Sequence, residues 1–190
     1  MIIIESLRTP DENTSGNKAK SALKKPHGTI KMKTTDTILS MLSDWLNGMI
    51  LASFTYSAGF ILRLERDVLV TNKPNVLFLT IRSSAIFDSK EEWSDFVNLL
   101  PMKTQQLDED EPAVAYRLML NLGKKIKKIE FGGNNTLILY IANLDGEKLL
   151  IPGVDDVWEE SWVVEELEEL AGHAKRTILC DAFGKIFYVD

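Results

Sequence analysis

Few side chains in this sequence have the type and spacing that catalysis or metal binding requires. The two histidines, His27 and His173, have no cysteine, aspartate or second histidine at the spacing of a metal site. The single cysteine, Cys180, lies in an apolar run typical of a buried strand, where a thiol is structural. No glycine-rich phosphate loop and no nucleophile elbow are present. The sequence therefore predicts no catalytic residue, metal site or cofactor, and favours a protein that is not an enzyme.

Acidic side chains are the most concentrated feature. Between Asp145 and Glu169, ten aspartates and glutamates accompany one basic residue, Lys148. A solvated face of a short helix over 165–170 would explain four of these glutamates without any function. The whole cluster, with Trp158 as an exposed aromatic anchor, would also steer and bind a basic protein. The predicted partner-binding residues are Asp155, Asp156, Trp158, Glu159, Glu160, Glu165, Glu166, Glu168 and Glu169.

Other aromatic and basic residues have simpler interpretations. Trp45, Trp93 and Trp162 lie in apolar helix or strand patterns, so core packing is favoured over a surface that stacks sugars or bases. The lysine-rich run 124–128 could contact phosphate, but lysines on an alternating strand more often protect a sheet edge from aggregation. The edge interpretation is favoured because Glu130 follows the run directly. Paired carboxylates could hydrolyse glycosides, yet nothing in an acidic chain singles out one pair.

Charge is distributed unevenly along the 190 residues. The net charge is −6, but residues 1–33 carry seven basic and three acidic side chains, which leaves −10 for residues 34–190. That sign disfavours nucleic acid as a ligand of the folded part, and favours a basic partner or simply solubility. No apolar run reaches the length of about 18 residues that a membrane span needs. A charged residue at Glu5 and a single cysteine indicate a non-secreted, cytoplasmic protein that binds no membrane.

The first 33 residues form a polar segment that is expected to be a disordered basic leader. Residues 10–33 are rich in Asn, Ser, Lys, Pro and Gly and contain too few apolar side chains to offset the entropy cost of ordering. Met32 directly precedes a helical pattern, which raises the hypothesis that translation begins there and that the leader is an upstream extension. The alternative is a basic tethering tail.

Residues 34–107 are predicted to form one helix-plus-three-strand unit and residues 108–190 a second, similar unit. The first helix begins at Thr34 or Thr35 and ends at Asn47–Gly48, where a glycine is a good stop signal. Strands over 49–56, 60–65 and 76–82 and a short helix over 88–100 follow. The second unit has a helix from Pro112 to Gly123, strands over 125–131, 136–142 and 148–151, and closing strands over 177–180 and 185–189.

An internal repeat supports the two-unit organisation. Setting Gly48 on Gly123 places Leu51 on Ile126 and Phe54 on Ile129, and the apolar matches continue into the next strands. The predicted fold class is α+β, with two tandem helix-plus-three-strand units whose mainly antiparallel sheets surround a shared core.

Five segments of the second unit follow a recognisable pattern: Leu122–Ile129, Asn135–Leu139, Leu144–Leu149, Glu159–Trp162 and Ile178–Cys180. They contain a Leu-x-Gly strand start, an Asp-Gly hairpin, a Glu-x-x-Trp strand and a closing strand with an aliphatic residue before Cys. This pattern resembles that of a family of small bacterial proteins that look like immunity proteins of polymorphic or contact-dependent toxin systems. The resemblance covers about residues 45–190, and the helix expected over 165–170 departs from it.

This resemblance implies a cytoplasmic immunity protein that binds and neutralises a cognate toxin, with a basic nuclease as one candidate. It places the toxin-binding surface on an acidic or aromatic patch, so only Trp158 and the nearby acids are carried over. The alternative from another class is a small-ligand-binding or regulatory module with a pocket between the two units. The oligomeric state is not predicted.

Overall fold

The computed structural model of the chain describes residues 34–100, 110–142, 146–167 and 174–190. The predicted leader and the residues His27, His173, Glu168 and Glu169 lie outside these ranges. The described elements form an α+β fold with three α-helices and ten strands. In chain order they are α1 (Thr35–Leu46), β1 (Ile50–Ser57), β2 (Gly59–Glu65), β3 (Val76–Ile81), β4 (Ile86–Phe87), α2 (Lys90–Leu99), α3 (Asp110–Leu120), β5 (Ile126–Phe131), β6 (Leu137–Ile141), β7 (Lys148–Ile151), β8 (Glu160–Leu167), β9 (Ala174–Asp181) and β10 (Ile186–Val189).

Capping residues set the starts of α1 and α2, and Thr34 is one of the two N-cap residues predicted for α1. The hydroxyl oxygen of Thr34 accepts a hydrogen bond from the backbone N–H of Thr37 at the start of α1. Helix α2 begins with a capping box in which Ser89 and Glu92 each accept from the other's backbone N–H. Helix α3 begins at Asp110, so Pro112 is its third residue and not its first as predicted. None of the described helices is long and apolar enough to span a membrane.

Two antiparallel sheets contain all the described strands. Sheet A has the strand order β1-β2-β3-β8-β9-β10, and sheet B has the order β4-β7-β6-β5. Sheet A therefore joins the meander β1-β2-β3 to a second meander, β8-β9-β10, through the pair β3–β8. Sheet B joins the meander β5-β6-β7 to β4, a strand from the first half of the chain, through the pair β4–β7. Strand β5 lies at an edge of sheet B, which agrees with the edge interpretation of its lysines.

The meanders β1-β2-β3 and β5-β6-β7 are joined at their starts by reciprocal backbone hydrogen bonds. Gly48 donates to the carbonyl of Ile126 at 2.9 Å, and Gly123 donates to that of Leu51 at 2.8 Å. Both glycines have a positive φ, 79° and 77°, which a glycine adopts without strain. Gly48 and Gly123 thus have equivalent conformations and contacts, which supports their alignment in the sequence. The two-unit repeat itself stays a prediction.

A single hydrophobic cluster lies between the sheets and helices. Alternate residues of β2 and β3 point into it, including Leu62, Leu64, Leu77 and Leu79. The cluster also contains Trp45, Trp93 and Trp162, as the sequence predicted, and the free thiol of Cys180. Burial raises the pKa of the Cys180 thiol to about 12, so this group is a structural residue at neutral pH.

The helix expected over 165–170 is wrong for its described part. Residues Glu160–Leu167 form strand β8, which pairs with β3 on one side and β9 on the other. Positions 163 and 164 are valines, whose branched side chains suit a strand, and both are buried. The pairing on both sides outweighs the helical spacing of the glutamates.

Candidate functional site

Two loops, residues 153–159 and 182–184, meet beside the start of β8 and form what we call the acidic corner. A third loop, residues 132–136, packs against both of them. Val154 forms an isolated antiparallel bridge with Phe183, which ties the first two loops together. The side-chain amide of Asn135 donates to the carbonyl of Gly184 at 2.7 Å. Residues that are far apart in the sequence therefore share one surface.

Close backbone contact holds the corner in place. Gly153 packs directly on the carbonyl groups of Asn134 and Asn135, because a Cβ at this position would lie 2.6 Å from the oxygen of Asn135. The indole N–H of the buried Trp162 donates to that same oxygen at 3.3 Å. Below the loop, the Cys180 thiol donates to the carbonyl of Gly153 at 3.3 Å. The corner thus rests on buried side chains of β8 and β9.

Two aspartates fix the turns that carry the apolar residues. One carboxylate oxygen of Asp155 accepts from the backbone N–H groups of Val157 at 2.8 Å and Trp158 at 3.0 Å. One oxygen of Asp181 accepts from the N–H groups of Phe183 at 2.9 Å and Lys185 at 2.8 Å. Such side-chain bonds to backbone N–H groups order a turn locally. Asp155, predicted to bind a partner, thus also builds the loop.

Apolar side chains protrude from these turns. Phe183 is 84% exposed and Val157 is 77% exposed, and Val154 and Trp158 are also exposed. Contiguous exposed apolar groups are unusual on a protein surface unless they bind something. Asp156 and Glu159 are exposed residues of the same loop, and the half-buried Asp155 and Glu160 lie beside them in the chain. The corner therefore combines apolar anchors with an excess of negative charge.

One basic residue reaches into the corner. The Arg82 guanidinium forms an ion pair with Glu160 at 3.0 Å and lies 6.0 Å from the centre of the Trp158 ring. This contact covers part of the indole and partly neutralises Glu160, while the carboxylates of Asp156 and Glu159 are on exposed residues.

The structure brings together only part of the predicted partner-binding set. Asp155, Asp156, Trp158, Glu159 and Glu160 lie in or beside the acidic corner. Glu165 and Glu166 lie further along β8, on opposite faces of sheet A, and Glu168 and Glu169 are outside the described residues. The predicted continuous acidic surface is thus divided.

The two described strand glutamates are engaged locally. Glu166 forms ion pairs with Arg176 and, at 3.5 Å, with Lys175, and the Arg176 guanidinium stacks 4.6 Å from the centre of the Trp45 ring. Glu165 points to the other face, where its cross-strand partners are Phe78 on β3 and Thr177 on β9. Burial, and secondarily the charge of Glu160, raises the pKa of the Glu165 carboxyl.

Glu165→Gln is expected to stabilise the protein at neutral pH. Because the folded-state pKa is raised, the group favours folding below its unfolded pKa of about 4.3, and that contribution is lost as the pH rises through the folded value. The melting temperature of Glu165→Gln should exceed that of the wild type at pH 7, and the gain should shrink towards pH 4. A thermal melt at both pH values, with the exposed Glu159→Gln as control, measures this. An equal gain at both pH values would contradict it.

Sequence reasoning missed the apolar half of the corner. Phe183 was assigned only to a turn between the closing strands, and Val154 and Val157 were not singled out. The one available signal was an aromatic residue inside the Asp181–Gly184 turn, a position where burial is not expected.

No family model, curated relative or solved structure matches this chain. In the described ranges, no group of three or more His, Cys, Asp or Glu side chains is arranged to hold a metal ion.

A second polar cluster lies between α3 and the start of sheet B. The Arg117 guanidinium forms ion pairs with Asp88 at 2.6 Å and Glu147 at 2.5 Å, and it stacks against the rings of Phe87 and Phe96. The buried Asn121 also donates to Glu147. These groups are mostly buried and bonded to one another, so the cluster is a structural link between the two halves of the chain.

Two surface depressions lie at the boundary of the predicted units. A cleft of about 70 Å³ is lined by Tyr56, Arg82, Ser84 and Glu111, and it is well below the roughly 300 Å³ of a typical ligand site. A wider groove of about 400 Å³ contains Tyr140, whose hydroxyl donates to Glu130. Lys128 and Lys148 flank the Tyr140 ring, and Lys128 forms an ion pair with Glu130.

Proposed function

We propose that this protein is a cytoplasmic immunity protein that binds a cognate toxin with its acidic corner and neutralises it. The observation that carries the proposal is the set of exposed apolar side chains, led by Phe183 and Trp158, held on rigid turns and surrounded by carboxylates. A toxin with a basic surface, such as a nuclease, is the partner that this combination fits.

The two parts of the corner have different roles in this proposal. Carboxylates of Asp156 and Glu159 attract a basic surface and raise the association rate, an effect that salt screens. Inhibition at nanomolar toxin requires a binding free energy of about −12 kcal/mol, which surface charge alone does not supply. Phe183 and Trp158 provide apolar contact area, the kind of contribution that dominates binding hot spots. Turns that are already ordered lower the entropy cost of binding.

The experiment is co-expression of this protein with the product of the reading frame upstream of its gene, which is where a cognate toxin is expected. Host survival and co-purification are measured for the wild type and for Phe183→Ser, Trp158→Ala and the double charge reversal Asp156→Lys with Glu159→Lys. Each apolar variant should weaken binding by about 30-fold or more. The charge reversal should slow association, most strongly at low salt.

A matched control reverses two exposed acids elsewhere. Glu91→Lys with Asp95→Lys on α2 changes the net charge by the same amount but leaves the corner intact. This control should still rescue the host. If it fails as badly as the corner variant, net charge and not the corner determines binding. Rescue that survives every corner variant would place the toxin-binding surface elsewhere.

A further inference from the structure

The loop over 66–75, which joins β2 to β3, carries a second exposed apolar tip. Val68 and Leu69 are 70% and 78% exposed, and Val70 beside them is also exposed. We call this segment the aliphatic loop. Its base is closed by a hydrogen bond from the Arg66 N–H to the carbonyl of Asn75 at 3.0 Å, and a turn joins Val70 to Lys73.

Arg66 fixes this loop to the end of α1. Its guanidinium donates to the carbonyls of Trp45 at 2.6 Å, Asn47 at 3.0 Å and Asp44 at 3.2 Å, and to that of Pro74 at 2.9 Å. These bonds satisfy carbonyl groups that the last turn of a helix leaves unpaired. The aliphatic loop is therefore braced and not merely a mobile excursion.

The surroundings of the aliphatic loop are basic. Lys73 forms an ion pair with Asp44, and Lys125 forms one with Asp67. Arg66 adds a third positive charge, so three basic side chains accompany two carboxylates here. The acidic corner has the opposite balance.

The two surfaces lie at opposite ends of sheet A. Strand β3 begins directly after the aliphatic loop, with Val76 paired to Glu65, and it ends at Ile81, which is paired to Trp162 beside the corner. The five residue steps of β3 span roughly 17 Å at about 3.3 Å per residue. One molecule thus presents a basic apolar end and an acidic apolar end that face away from each other.

We propose that the aliphatic loop of one copy of this chain docks on the acidic corner of a second copy. The occupant is assigned by complementarity: a protruding aliphatic tip with lysines at its base meets exposed aromatic groups with carboxylates around them. The two surfaces differ, so the contact is head-to-tail and does not close on itself as a symmetric dimer does. Few residues take part on each side, so association is weak and needs high protein concentration and low salt.

Sedimentation of the wild type over a concentration series tests this. At low salt the weight-average mass should rise past twice the monomer mass of 21.5 kDa, and at high salt it should fall back towards the monomer. A wild type that stays monomeric at all concentrations in low salt would overturn the proposal. So would a mass that levels off at a dimer.

Two variants, each lacking one of the two contact surfaces, make the test more specific. Leu69→Ser removes the tip and Phe183→Ser removes the anchor, and both positions are exposed, so the fold should persist in circular dichroism. Each variant alone should remain monomeric, whereas an equimolar mixture should form dimers and nothing longer, because one intact surface remains on each partner. If the mixture stays monomeric, or if either variant alone still forms chains, the head-to-tail contact is wrong.

The same variants separate this inference from the proposed function. Leu69→Ser leaves the acidic corner unchanged, so it should lose self-association and keep toxin rescue. A protein that self-associates as described but rescues no host would retain the inference and lose the proposed function. Since the toxin and the second copy would both bind Phe183, saturating toxin should also dissociate the head-to-tail assemblies.

Discussion

Replacing Gly153 with alanine is expected to lower the free energy of unfolding by about 3 kcal/mol. The new Cβ would overlap the carbonyl oxygen of Asn134 and lie 2.6 Å from that of Asn135. Both obstacles are backbone atoms, so no side-chain rotation relieves the clash. Asn134 and Asn135 already have a positive φ of 54°, which limits how far their loop can shift. Chemical denaturation followed by tryptophan fluorescence measures the loss.

Gly133→Ala is the matched control in the same supporting loop. A Cβ at Gly133 meets nothing within 4 Å, so the change in unfolding free energy should stay within about 0.5 kcal/mol. If Gly153→Ala is as stable as Gly133→Ala, the close packing of the corner on the loop over 132–136 is not a feature of the folded protein. The toxin binding that we propose for the acidic corner should fall with Gly153→Ala only, because the turn carrying Trp158 is displaced.

Arg117→Met is expected to destabilise the fold by about 3 kcal/mol, a loss typical of breaking a buried ion pair. Methionine keeps most of the apolar contact with Phe87 and Phe96, so the effect isolates the charge. Two carboxylates, Asp88 and Glu147, would then lose the cation that both contact. Differential scanning calorimetry at neutral pH measures the shift in melting temperature.

Arg63→Met removes a surface ion pair and serves as the comparison. The Arg63 and Glu65 side chains lie at the surface of sheet A, where such pairs contribute up to about 1 kcal/mol. A loss for Arg117→Met no larger than for Arg63→Met would mean that the cluster between α3 and sheet B contributes little to stability.

Local signals explain why most of the fold could be predicted. Thr34 caps α1 as predicted, and Gly48 follows the end of α1 with a positive φ. The strands β1, β2, β3, β5, β6 and β7 follow runs of apolar residues separated by turn residues. These features depend on neighbours in the sequence, so a single chain reveals them.

The prediction was wrong where two periodicities coincide. The run from Val163 to Leu167 has apolar residues at a helical spacing, and it also has the branched residues of a strand. Pairing with Phe78 and Thr177, which are distant in sequence, decides for the strand. No local pattern contains that information.

The candidate site shows the same division. Trp158 was found because an isolated aromatic residue among acids does not suit a core. Phe183 was missed because its role depends on contact with Val154, and the packing of Gly153 on Asn135 joins segments that sequence spacing does not relate. Composition therefore located the charge of the corner, and the fold was needed to find its apolar anchors.

The pairing of β3 with β8, which come from different halves of the chain, affects how the protein is synthesised as well as how it is stabilised. During translation β3 emerges from the ribosome long before its neighbour β8, so Ile81 has no pairing partner until Trp162 has been made. Until then the inner edge of sheet A is an open template for other chains. We therefore expect the newly made first half to be prone to aggregation until β8 pairs, and a chain truncated before β8 to aggregate instead of forming a half-sized domain.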